Sequence, residues 1–102
     1  MGNMIYTELQ IRIEALWELA DSRTGTLTTS ELIEYLESRL APTGRDAEIA
    51  DGRGDTYFSQ KVRNLVSHRD QGPGLSNQGL AIYNPDRESW TITDKGRASL
   101  VT

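Results

Sequence analysis

The stretch Tyr57-Phe58-Ser59-Gln60-Lys61-Val62-Arg63-Asn64-Leu65-Val66-Ser67-His68-Arg69 decides how the chain is read. Phe58, Val62, Leu65 and Val66 fall at i, i+4, i+7 and i+8, the spacing that lines one side of an α-helix. At about 100° per residue the opposite side is centred on Gln60, Arg63, Asn64 and Ser67. No acid occurs anywhere between Tyr57 and Arg69. The pattern predicts a helix that buries one side and offers amide, guanidinium and hydroxyl groups on the other. Asp55 or Thr56 can cap its start, and Gln71-Gly72-Pro73-Gly74 ends it.

Downstream, Leu80–Tyr83 and Ser89–Ile92 read as the strands of a β-hairpin. Asn84-Pro85-Asp86-Arg87-Glu88 forms the turn, with proline presetting φ. Thr93 then caps a short last helix, Asp94–Leu100. Upstream, Thr28 and Glu31 form a capping box, with Leu27 and Leu32 placed as a hydrophobic staple. That helix runs through Leu32, Tyr35, Leu36 and Leu40 and stops at Pro42 and Gly44. A first helix is expected from about Met4 to Ala20. Its core stripe is read as Ile5, Leu9, Ile13, Leu16, Trp17 and Ala20, leaving Ile11 and Leu19 on a second flank, either a core edge or a contact with another chain. Thr24-Gly25 closes the segment. Residues 41–56 (APTGRDAEIADGRGDT) keep no period and are read as a long loop with room for one helical turn around Asp46–Ala50. Trp17 and Trp90 are expected in the core, and Tyr57 and Tyr83 at its edge.

The bulk composition narrows the classes. The 102 residues fit one domain, 1–102, and 36% hydrophobic with 25% charged residues suits a globular fold. There is no cysteine, which excludes disulfides and thiolate metal sites. No apolar run reaches the roughly 20 residues of a membrane span. The start, Met1-Gly2-Asn3-Met4, has no basic region, and Tyr6 stands where a myristoylation signal wants Ser or Thr. A cytoplasmic location is the expectation. The net charge of −4 runs against a nucleic-acid partner, because cations drive that affinity. The charge is polarised, however. Residues 1–56 hold five Arg against eleven acids, and residues 57–102 hold six Lys and Arg against four.

Catalytic and metal chemistry lacks parts. His68 is the sole histidine, so zinc sites and nucleophilic triads are incomplete. Asp46, Glu48, Asp51 and Asp55 do not have EF-hand spacing. Arg53-Gly54-Asp55 spells the integrin tripeptide, but Asp55 reads better as a helix cap. Gly52-x-Gly54 and Gly72-x-Gly74 sit in no strand-to-helix unit that would cradle phosphate. No enzyme, cofactor or metal is expected.

The order helix, helix, helix, hairpin points to an α+β, mainly α, winged helix-turn-helix with double-stranded DNA as partner. The third helix would enter the major groove. Arg63 suits guanine O6 and N7, and Gln60 or Asn64 suits adenine, with Ser67 beside them. Ser59, Lys61, His68 and Arg69 suit flanking phosphates. Arg87 at the hairpin turn, assisted by Asn84, is the second contact; Asp86 and Glu88 argue against deep insertion. The alternative is a winged helix whose partner is another protein, favoured by the acidic first half and the Ile11/Leu19 flank. A homodimer or a fused neighbour domain would raise the affinity of so small a module.

Tyr57–Arg69, then Gly79-Leu80-Ala81 and Trp90-Thr91-Ile92-Thr93-Asp94-Lys95-Gly96-Arg97, resembles a family of bacterial winged-helix DNA-binding modules. These occur alone or beside restriction-type nuclease domains, Mrr-like enzymes among them. The likeness covers residues 57–100 best and is generic over 1–40. It implies DNA binding through the third helix and the wing, as a regulator or as the recognition part of a restriction-type protein. The Trp-x-Ile-Thr-x-x-Gly-Arg segment would be a structural corner between wing and last helix. The resemblance supplies no nuclease centre.

Overall fold

A computed structural model describes residues 6–42 and 56–101. Ile5, most of the expected 41–56 loop with its helical turn, Arg53-Gly54-Asp55 and the Asp46/Glu48/Asp51/Asp55 group lie outside the described residues. The elements are α1 (Glu8–Asp21), β1 (Thr26–Thr28), α2 (Thr29–Leu40), α3 (Tyr57–Ser67), β2 (Ala81–Asn84), β3 (Ser89–Ile92) and α4 (Asp94–Ser99). They build an α+β fold of four helices and a three-stranded antiparallel sheet.

Local sequence sets most helix starts. At Thr28 the hydroxyl accepts from the Glu31 amide at 3.1 Å, and the Glu31 carboxylate accepts from the Thr28 amide at 2.9 Å. The reciprocal box satisfies two donors that the first turn would leave bare. Leu27 and Leu32, the expected staple, are both buried. A second box, unread in the sequence, starts α1: Thr7 accepts from Gln10, whose side chain accepts from the Thr7 amide. The helix therefore begins at Glu8 and not near Met4. Of the two caps offered for α3, Thr56 is the one used; Thr93 caps α4.

The register of α1 is the main correction. Ile11 and Leu19, expected on a spare flank, are fully buried with Ala15 and Leu16. Leu9, Ile13 and Trp17, expected in the core, are 57%, 44% and 39% exposed. Both sides of this helix are apolar, so period alone cannot choose between them. Contacts choose: α1 packs against α2, α3, β3 and α4, and the side carrying Ile11, Ala15 and Leu19 meets them. In α2, Tyr35 is likewise exposed and Ile33 buried. Phe58, Val62 and Leu65 of α3 fill the centre as expected, with Val66 at the edge. Trp90 is fully buried, and its Nε1 has no partner.

The sheet adds a strand the sequence did not announce. β1 pairs antiparallel with β3, and β3 pairs with β2, giving the order β1-β3-β2. Thr26 faces Thr91, and their hydroxyls meet at 2.8 Å. Beyond the hairpin turn the Glu88 carbonyl accepts from the Thr29 amide at 2.8 Å. The hairpin is thus fastened to the connection between α1 and α2 and to the first residue of α2. Leu75, in the turn after α3, is also buried. At Gly96 any Cβ would collide with the Leu80 carbonyl oxygen, so α4 approaches the sheet only because that residue is glycine.

The α1 register is directly testable by denaturant unfolding. Ile11→Ala is expected to cost about 2–5 kcal/mol, as for deletion of a core side chain. Ile13→Ala, measured at protein concentrations low enough to keep single copies apart, is expected to stay within about 0.5 kcal/mol of wild type, as for a surface position.

Candidate nucleic-acid interface

Helix α3 and its end use their sides for different purposes, and this separates the eight candidate contact residues between Ser59 and Arg69. Ser59 is buried. Its amide donates to the Thr56 hydroxyl at 3.1 Å, and its own hydroxyl donates to the Thr56 carbonyl at 2.9 Å. It braces the start of the helix and is not presented to a phosphate; the sequence pattern could not register this, since serine suits both roles. Lys61 and His68, seven residues apart and so on one side of the helix, both turn toward the residues at and just before the start of α1. The Lys61 ammonium donates to the Tyr6 carbonyl at 3.0 Å. The His68 Nδ1 lies 3.0 Å from the Glu8 carboxylate, which also pairs with Arg12 at 3.1 Å. These polar braces flank the edge-to-face packing of Tyr6 on Phe58.

Arg69 is held at the junction between α3 and the hairpin. Its guanidinium donates to the Val66 carbonyl at 2.7 Å and lies 5.0 Å from the centre of the Tyr83 ring. Tyr83 in turn packs on Trp90 at 5.1 Å between ring centres. The cation therefore caps an aromatic stack that reaches the core. Its Nε lies 3.8 Å from the Asp70 carboxylate, and the side chain is partly buried.

The four residues read from the helical period as base-facing do come together. Gln60, Arg63, Asn64 and Ser67 line one open hollow of about 470 Å³. Arg63 and Ser67 are exposed, and Gln60 and Asn64 are half-buried. Arg63 and Ser67 also line a smaller hollow of about 180 Å³ shared with Thr29, Val66, Tyr83 and Glu88. Arg63 and Ser67 thereby link the polar side of α3 to the start of α2 and to the hairpin. Thr29 and Tyr83 were not read as part of this surface. Neither carries a local signal: the Thr29–Glu88 contact brings one, and the β2–β3 register the other.

At the hairpin turn the Asn84 side-chain oxygen accepts from the Asp86 amide at 3.0 Å, and the Asn84 carbonyl accepts from the Arg87 amide at 3.3 Å. Asn84 thus shapes the turn with its oxygen and is exposed itself. Arg87 is exposed at the tip, between Asp86 and Glu88. Glu88 adopts φ +49°, unusual for a side chain with a Cβ. This conformation sets its carboxylate-bearing residue at the rim of the α3 hollow while its carbonyl holds α2. Electrostatically the surface is mixed: Arg63 and Glu88 line the smaller hollow, and Arg87 at the tip stands between two acids.

Among the described residues no three His, Asp or Glu side chains are grouped so as to hold a metal ion. Nor is any helix among them long and apolar enough to cross a membrane. No protein-family model matches the chain, and neither a curated protein nor a solved structure matches it.

The Arg69 stack yields its own prediction. Arg69→Ala should lower stability by about 1–2 kcal/mol through loss of the cation–π and carbonyl contacts. The near-ultraviolet circular dichroism of Tyr83 and Trp90 should change with it. Arg69→Lys should recover little, because an ammonium cannot stack as a planar guanidinium does.

Proposed function

We propose that the chain binds double-stranded DNA through α3 and the β2–β3 hairpin, as a winged helix-turn-helix. Its role would be that of a regulator or of the recognition module of a restriction-type protein. The observation that carries the reading is the shared hollow lined by Gln60, Arg63, Asn64 and Ser67 on a helix without a single carboxylate. Amides and a guanidinium on consecutive turns can form paired hydrogen bonds with base edges in a major groove. The order of elements supports the winged-helix arrangement: a short strand between the first two helices pairs with the hairpin, and the hairpin flanks the third helix. The wing offers Arg87 for phosphate contacts, and the partly exposed Arg69 stands beside it at the junction, next to Asp70.

The acidic half of the chain lowers non-specific affinity and leaves recognition to this one surface. Glu88 is the obstacle within it, since a carboxylate beside the hollow repels phosphates. A competing reading, a winged helix that binds another protein, draws on the exposed Leu9, Ile13 and Trp17. The buried Ile11 and Leu19 no longer support it. Salt separates the readings: DNA binding weakens steeply as salt rises, whereas a protein-only module shows no duplex binding even at low salt.

Fluorescence anisotropy with a selected site and a random duplex tests the proposal. Arg63→Ala should lose about 1–3 kcal/mol on the selected site, more than on random duplex. Arg87→Ala should weaken both alike and flatten the salt slope by about one unit. Glu88→Gln should tighten both several-fold at low salt and less at higher salt, as screening predicts. Wild-type behaviour of all three variants on every duplex would overturn the reading.

A further inference from the structure

We infer that α1 carries a self-association surface through which two copies of this chain pair. Leu9, Ile13 and Trp17 recur every four residues along α1 and are 57%, 44% and 39% exposed. A helix needs one apolar side to fold against its core, and α1 already supplies Ile11, Ala15, Leu16 and Leu19 for that purpose. The second stripe is surplus to the fold of one copy. Beside it lies a groove of about 400 Å³ between α1 and the turn after α3, its apolar wall formed by Leu9, Ile13, Leu16, Pro73, Leu75 and Leu80.

Ridge and groove on one face are what an isologous contact requires, because a two-fold axis sets each patch against its own copy. With the two α1 helices antiparallel about an axis near Ile13, Trp17 of each copy falls against the Leu9 turn and groove of the other. The area is also of the right order. A standard interface takes about a tenth of a small protein's surface, and the chain exposes 6205 Å². Somewhat more than half of such a patch is apolar, on the order of 350 Å². The exposed parts of Leu9, Ile13 and Trp17 with the groove rim supply a similar amount. Exposed Gln10, Asp21 and Gln78 provide a polar rim. No residue lines both this groove and the hollows of α3. Pairing therefore stands independently of the nucleic-acid reading, and either can fail without the other.

Sedimentation equilibrium of the full chain without DNA is the test. The chain should associate to a dimer as concentration rises through the micromolar range. Because Trp90 is already buried, a concentration-dependent blue shift of tryptophan emission would report Trp17. Ile13→Glu should weaken pairing about a hundredfold, by burying an uncompensated charge, with unchanged far-ultraviolet circular dichroism. Ile82→Glu, on β2 and 63% exposed, should leave pairing intact. The chain has no cysteine, so Ile13→Cys introduces a single thiol that should oxidise to a covalent dimer faster than Ile82→Cys does. That comparison decides the matter if Ile13→Glu fails to fold. A monomer at every concentration, a dimer indifferent to Ile13→Glu, or equal oxidation of the two cysteine variants would overturn the inference.

Discussion

Strand β3 is the constraint on which the rest depends. It is the central strand of the sheet, it packs against α1, and it holds the buried Trp90. On one side it pairs with three residues between the first two helices, and on the other with its hairpin partner. The Glu88 carbonyl, just before it, accepts from the start of α2. An isolated two-stranded hairpin is at best marginally stable in water. This one is fixed because the α1–α2 connection supplies a third strand and the core supplies a floor for Trp90. The hairpin is thereby held beside α3, and Tyr83 reaches Arg69 across the gap.

Given that frame, the sides of α3 divide without conflict. Phe58, Val62 and Leu65 pay the entropy of ordering the helix through burial. Lys61 braces it to Tyr6 just before α1, His68 to Glu8 at the start of α1, and Arg69 to the hairpin. Gln60, Arg63, Asn64 and Ser67 lie on the side away from the core, where they line one hollow. The proposed function uses the side turned away from the core. The same logic applied to α1 leaves Leu9, Ile13 and Trp17 as surplus apolar surface, and self-pairing gives that surface a use.

What was legible in the sequence was what local chemistry decides. The Thr28–Glu31 box, the Thr93 cap, the α3 core side and the Ser89–Ile92 strand follow from neighbours within four residues or from a clean period, whereas Thr56 is one of two caps the pattern offers for α3. What failed needed distant partners. The register of α1 could not be chosen because Leu9/Ile13/Trp17 and Ile11/Ala15/Leu19 are both coherent apolar stripes, and only the packing of other elements selects one. Thr26-Leu27-Thr28 has no strand signal of its own; its strand exists through Thr91, Trp90 and Ser89 opposite. In the candidate site, helical period correctly grouped Gln60, Arg63, Asn64 and Ser67. Residue type alone misjudged Ser59, whose hydroxyl satisfies the backbone of its own cap.

The central claim is that α3 and the hairpin form one continuous surface for duplex DNA. Nuclear magnetic resonance titration of labelled protein with a short random duplex at low salt tests it most directly. The account predicts that signals of Gln60, Arg63, Asn64 and Ser67 and of residues 84–88 shift together and saturate together, while those of Leu9, Ile13 and Trp17 stay still. Shifts confined to α1, or movement of α3 without the hairpin, would contradict it.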